Sequence, residues 1–173
     1  MSKTNLFNLD GKIAFVSGAS RGIGEAIAKL LAQQGAHVIV SSRKIDGCQH
    51  VADAIIAAGG KATAIACHIG EMEQITQVFA GIREQFGRLD ILVNNAGIQH
   101  VAAVEDFPAE RWDSIIAINL SSVFHSTRLS LPGMKAKGWG RIINIASVHG
   151  QVGSVGKAAY VAAKHGVIGL TKV

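Results

Sequence analysis

Tyr160 and Lys164 stand four residues apart in the stretch Ala-Ala-Tyr-Val-Ala-Ala-Lys. On a helix that spacing puts a phenol and an ammonium on one face, one turn apart. A free phenol ionises near pH 10, and carrying it to about 7 takes roughly 4 kcal/mol of differential stabilisation. An adjacent ammonium in a partly dry cleft, with hydrogen bonds to the phenolate, supplies that order of energy. Tyr160 would then exchange a proton with an alcohol or carbonyl oxygen near neutral pH. Tyr-x-x-x-Lys also arises by chance as a surface pair, so the reading depends on what converges with it. Ser147 lies just past an apolar run, where a hydroxyl can hold the reacting oxygen beside Tyr160. Asn119, in a long helical stretch, could tie Lys164 to a chain of water.

A second constellation precedes these. Residues 13–24 read Ile-Ala-Phe-Val-Ser-Gly-Ala-Ser-Arg-Gly-Ile-Gly. A short apolar run suits a strand buried on both faces. The turn follows, then an apolar-periodic helix over 25–34 closed by Gly35. Strand, glycine turn and helix together aim free backbone N–H groups and a positive helix end at a pyrophosphate. Gly18 permits the tight turn, Gly22 lets backbone approach the phosphates, and Gly24 lets the helix lie close to the strand. Ser20, Arg21 and Ile23 complete the turn.

Helical and strand patterns then alternate to the last residue. Strands are expected at 37–41, 62–67, 89–94 and 141–146, and helices at 45–58, 71–86, 108–137 and 157–173, the long one broken near Pro132-Gly133. Strict alternation predicts one α/β domain over residues 1–173: a Rossmann-like, doubly wound parallel sheet in the order 3-2-1-4-5. Ligands of such a sheet bind outside the carboxyl ends of the strands. That rule selects the loops at 17–24, 42–44, 67–70, 94–101 and 147–156. The second loop carries Ser42, Arg43 and Lys44 where an acid would suit the ribose 2′-hydroxyl of NAD. Arg43, with Arg21 in the glycine turn, suits a 2′-phosphate, so NADP(H) is expected over NAD(H). Solvated surface arginines are the alternative at both positions. His68 and Ile69 in the third loop, and Asn95, Ala96 and Gly97 in the fourth, complete the candidate cofactor set.

Composition narrows the class. Of 173 residues 49% are hydrophobic and 17% charged, as in a globular protein. Cys48 and Cys67 form no CxxC pair, and the seven histidines form no HxxxH pair, so no metal site is expected. Two isolated cysteines suit the reducing cytoplasm. No leader or membrane span is expected, because residues 1–9 lack a long apolar core. The net charge of +5 comes with no lysine-arginine run of the kind that binds nucleic acid.

The glycine turn, Asn94 to Gly97, Asn119, Ser147, Tyr160 and Lys164 together resemble the short-chain dehydrogenase/reductase family, including the thirteen-residue step from Ser147 to Tyr160. The resemblance covers the whole chain. It implies NAD(P)-dependent interconversion of an alcohol and a carbonyl, the hydride chemistry being the cofactor's. It also implies Tyr160 as acid/base, Ser147 as anchor of the substrate oxygen, Lys164 as the group that lowers the phenol's pKa and holds the nicotinamide ribose, and Asn119 in the proton relay. From about residue 89 onward the chain is similar to bacterial 3-hydroxybutyrate dehydrogenases: Asn-Asn-Ala-Gly-Ile-Gln-His at 94–100, Glu-Asp-Phe-Pro at 105–108, Ile-Ala-Ser-Val-His-Gly at 145–150, and the ten residues from Lys157 to Gly166. That likeness implies that Gln99, His149 and Lys157 hold a substrate carboxylate.

The first half, with Val-Ser-Ser-Arg-Lys at 40–44 and Cys-His-Ile-Gly-Glu at 67–71, looks like an NADPH-type carbonyl reductase branch. A recombined or engineered chain joined near 87–97 is therefore expected. His68 stands where the family usually has an aspartate beside the adenine. The chain also stops before two further strands, a Pro-Gly segment and a substrate lid that full-length relatives carry. An exposed fifth strand with Ile142, Ile143 and Ile145 then predicts a homo-oligomer. A cleft short of one wall predicts weak or absent cofactor binding and very low turnover. Two readings result: an oxidoreductase acting on a short hydroxy or keto acid, or a catalytically silent, self-associating α/β fragment.

Overall fold

The structure is a computed structural model that describes residues 7–173. The elements run β1 (Ile13–Ser17), α1 (Gly22–Gln33), β2 (His37–Ser42), α2 (Ile45–Ala57), β3 (Lys61–Ala66), α3 (Met72–Phe86), β4 (Ile91–Asn94), α4 (Ala109–Ile116), α5 (Ser122–Ala136), β5 (Arg141–Asn144) and α6 (Ala158–Thr171). The sheet order is β3-β2-β1-β4-β5, as expected, and every neighbouring pair is parallel.

Alternation along β1 divides the core. Ala14 and Val16 point to the face covered by α1 and α2, where they meet Ala28, Val51 and Ile55. Phe15 points the other way, into Ile75, Phe79 and Ile82 of α3 and Met134 of α5. In register, Phe15 stands between Ile39 of β2 and Leu92 of β4. Such two-sided burial is why these strands are apolar runs.

Two expectations about helices are corrected. The first helix starts at Gly22, not residue 25, so Gly22 and Gly24 lie in its first turn. The stretch 108–137 is not broken at Pro132, which sits inside α5. Pro132 and Arg128 are both exposed, so water can satisfy the Arg128 carbonyl that the proline leaves without a donor. The interruption comes earlier, as a π-helical turn at Ala117–Ser121. That wider turn buries Asn119, whose side-chain oxygen accepts from Ile98 N and whose amide donates to Ile98 O, both at 2.9 Å.

β5 pairs only with β4 among the described residues. Of its isoleucines, Ile143 is exposed.

Candidate active site

The carboxyl end of β1 is locked to the end of β4 by side chains. Ser17 Oγ donates to Val93 O at 3.3 Å and accepts from Asn95 N at 3.0 Å and Ala96 N at 3.1 Å. Asn95 Nδ2 donates to Ser17 O at 3.0 Å and Gly18 O at 3.2 Å. Gly18 has φ +65°, and a Cβ there would lie 2.9 Å from Ala96 Cα. A Cβ on Gly24 would lie 2.5 Å from Asn95 Nδ2, so glycine is what lets α1 close on the strand end. Gly22 differs: its Cβ would meet nothing within 4 Å, and φ +61° is what requires glycine there.

Above this cradle opens a cleft of about 430 Å³, within the usual range for small-molecule sites. Eleven of the expected cofactor residues line it: Gly18, Ser20, Arg21 and Gly22 from the turn, Ser42 and Arg43 after β2, His68 and Ile69 after β3, and Asn95, Ala96 and Gly97 after β4. Among the described residues no carboxylate lines it, and Arg21 and Arg43 face it with no ion pair to an acid. His68 N donates to Gln74 Oε1 at 2.8 Å, while the ring's Nδ1 is buried without a hydrogen-bond partner. Ile23 does not line the cleft, and its side chain is exposed. Gly24 is buried beneath the turn rather than lining it.

Five more residues line the cleft: Ser17, Cys67 and Ile98 fall within the loops selected from the sequence without being named as cofactor residues, and Ser41 and Ile118 fall outside them. The signal was available for Ser17 and Ser41, polar residues at the carboxyl ends of buried strands. Burial pushes the Cys67 thiol up to about 11.

The second group of residues stands past β5, outside that cleft's lining. Ser147 caps the short 3-10 turn Val148–Gly150, its Oγ accepting from His149 N at 3.2 Å. A Cβ on Gly150 would lie 2.5 Å from Ile168 Cδ1 and 2.8 Å from Lys164 O, so the bare residue lets this turn sit on α6. The His149 and Tyr160 rings are 6.1 Å apart and nearly perpendicular, at 80°. Lys157 Nζ lies 3.5 Å from His149 Nε2, and His149 Nδ1 is buried and unbonded. Lys164 is buried, donates to Ile145 O at 2.6 Å, and holds its Nζ 5.7 Å from the Tyr160 ring centre. Desolvation lowers the Lys164 pKa.

The structure thus brings Ser147, His149, Lys157, Tyr160 and Lys164 together. No hydrogen bond joins Ser147 to Tyr160 among the described residues. Asn119 is held by Ile98 at both its side-chain oxygen and its amide. Gln99 is exposed after β4 and makes no hydrogen bond to His149 or Lys157. One packing cluster joins the two groups: Ile98 lines the cleft and also packs with Ile115 against Ala159 and Ala163 of α6.

A family model described as short chain dehydrogenase matches residues 12–173. The chain belongs to the short-chain dehydrogenase family. It is 56% identical over 168 residues to a D-beta-hydroxybutyrate dehydrogenase of Cupriavidus necator and 50% identical over 165 residues to one of Rhizobium meliloti. These alignments cover 95% and 93% of the chain, and the chain spans 64% and 63% of those relatives' lengths. The first runs across residues 87–97, so one relative matches on both sides of the expected join. A crystal structure of a metagenomic short-chain oxidoreductase in complex with NADP superposes with a TM-score of 0.92 at 39% identity, covering 95% of this chain and 75% of that one. Nothing in these likenesses supports the silent-fragment reading. Among the described residues no helix is long and apolar enough to cross a membrane.

Proposed function

We propose that the protein moves hydride between the nicotinamide of NADP(H) and the hydroxyl-bearing carbon of a short 3-hydroxy acid, 3-hydroxybutyrate being the substrate of choice. The observation that carries the reading is the grouping of Tyr160, His149, Lys157 and the Ser147 turn beside a carboxylate-free cleft built on glycines. The cleft fits the cofactor. It offers the N-terminal turn of α1 and Gly18 for phosphates, two arginines with no acidic partner among the described residues for a 2′-phosphate, and the orphaned His68 Nδ1 as a polar contact for the adenine.

When bound, the nicotinamide supplies or receives the hydride. The chain's own groups do the rest. Ser147 holds the substrate oxygen, and Tyr160 takes its proton during oxidation or returns it during reduction. Lys164, buried one turn along α6, would favour the phenolate and hold the cofactor ribose. Lys157 carries the positive charge that a substrate carboxylate needs, and His149 beside it can donate a second hydrogen bond. Gln99, exposed after β4, would offer its side-chain amide to the same carboxylate. The relatives named D-beta-hydroxybutyrate dehydrogenase support this choice of acid. Asn119 acts as a clamp that holds the loop after β4 to the π turn.

Titration with NADP(H) and NAD(H), on the unaltered protein and on Arg43→Asp, tests the cofactor assignment. The unaltered protein should prefer NADP(H) by about tenfold or more, the worth of a charge-assisted contact. Arg43→Asp should reverse the order. Equal preference in both proteins removes the argument. Reduced-nicotinamide absorbance with 3-hydroxybutyrate against an uncharged secondary alcohol of the same length tests the acid.

A further inference from the structure

The adenosine end of the cleft is assembled from separate stretches of chain, and the first turn of α2 stands behind two of them. A Cβ on Gly47 would lie 3.0 Å from Ser20 Cβ, so α2 presses bare backbone against the glycine turn. One residue further, Cys48 Sγ lies 3.1 Å from Ser42 Oγ and 3.4 Å from the Lys44 carbonyl oxygen. Ser42 Oγ donates to that same carbonyl at 3.2 Å. Cys48 is wholly buried at 0% exposure, whereas Ser20, Ser42 and Arg43 face the cleft.

The proton inventory of this triangle is informative. The hydroxyl has one proton, the thiol has one, and the carbonyl has none. When the thiol donates to Ser42 Oγ, that oxygen stays anchored. Its own proton can then turn from the Lys44 carbonyl toward an anion in the cleft. Without the thiol, Ser42 has to release Lys44 in order to donate to the anion, and nothing then holds its oxygen.

We infer that Cys48 is a positioning residue for the 2′-phosphate: its thiol fixes Ser42, and with it the start of the Arg43 loop, to receive a phosphate monoester on the adenosine ribose. The inference rests on the NADP(H) reading above. Cys48 touches no ligand and acts through Ser42.

The test is calorimetric binding of adenosine 2′,5′-bisphosphate and of adenosine 5′-monophosphate, which differ only in the 2′-phosphate. The ratio of the two dissociation constants measures 2′-phosphate preference. Cys48→Ala should lower that ratio about three- to tenfold, the worth of one hydrogen bond. The loss should fall on the bisphosphate alone. Cys48→Ser keeps a donor and should restore the ratio to within about twofold. Ile55→Val, an equivalent trim of the α2 core away from Ser42, should leave it unchanged. Should Cys48→Ala fail to fold, Cys48→Val fills the site without a donor and reads the same ratio. A Cys48→Ala protein with the original ratio, or one that shifts no more than Ile55→Val, overturns the inference while the cofactor assignment stands. An unaltered protein that does not bind the bisphosphate more tightly than the monophosphate overturns both.

Discussion

Gly24→Ala sets two physical effects against each other. Gly24 lies in the first turn of α1 without a positive φ, so helix propensity alone predicts that alanine stabilises by about 0.5–1 kcal/mol. The surroundings predict the reverse. The new Cβ would lie 2.5 Å from Asn95 Nδ2, 2.9 Å from Gly18 C, and closer still to Gly18 O. Ordinary contact begins near 3.5 Å, so α1 has to withdraw by about 1 Å. That withdrawal breaks the bonds from Asn95 Nδ2 to Ser17 O and Gly18 O, now 3.0 and 3.2 Å long. Overpacking of this kind costs about 3 kcal/mol at the upper end, leaving a net loss of about 2 kcal/mol after the propensity gain. For a chain of this length that is a drop in Tm of about 4–8 °C. Gly81→Ala is the internal control, since Gly81 sits in α3 with nothing within 4 Å of its Cβ. It should gain about 0.5–1 kcal/mol from propensity alone. Thermal unfolding followed by far-ultraviolet circular dichroism reads both, and cofactor titration should show weaker binding for Gly24→Ala only. If both variants rise in Tm, the cradle is not held by close contact and the reasoning fails.

Two further predictions follow from buried charge. Burial lowers the Lys164 pKa, so between the folded value and the unfolded value of about 10.4 the unfolded chain binds more protons and stability rises with pH. Lys164→Met should therefore raise Tm at neutral pH, abolish turnover, and lose its stability advantage as pH climbs toward that unfolded value; a constant advantage across pH contradicts this. His37 bonds Thr63 Oγ1 through Nε2 at 2.8 Å, and burial, then Lys61, lowers its pKa below 6.5. Its contribution is complete above the unfolded pKa and falls away as pH drops below about 6.5 toward the folded value. His37→Gln should flatten the decline of Tm with acid in that range; an unchanged slope points to other groups.

Much of this architecture could be read from local pattern. The apolar runs at 13–16 and 91–93, the glycines of the turn, and the helix stops at Gly35 and Gly87 each carry their own structural reason, and together they dictate a parallel sheet. The glycine cradle was legible for the same cause. What escaped local reading depends on partners distant in sequence. Asn119 opens a π turn because Ile98, 21 residues away, takes both ends of its side chain. Pro132 looks like a break in the sequence but sits on the solvent side of α5, where a missing hydrogen bond costs little. Ser17 looks like an ordinary strand end, yet its hydroxyl organises Asn95 and Ala96, some eighty residues on. The family likeness put His149 with Lys157 at a carboxylate, but the contact of His149 with the Tyr160 ring was not legible, because it depends on Gly150 lying flat on α6.

The most direct test compares the unaltered protein with Tyr160→Phe, following reduced-nicotinamide absorbance as NADPH meets acetoacetate. Tyr160 is the one tyrosine of the chain, so no other phenol can substitute for it. Loss of the proton at the substrate oxygen should slow turnover about 10²–10⁴-fold while the NADPH dissociation constant stays unchanged. A phenylalanine variant that turns over at the original rate would contradict the assignment of Tyr160 as the group that moves the proton.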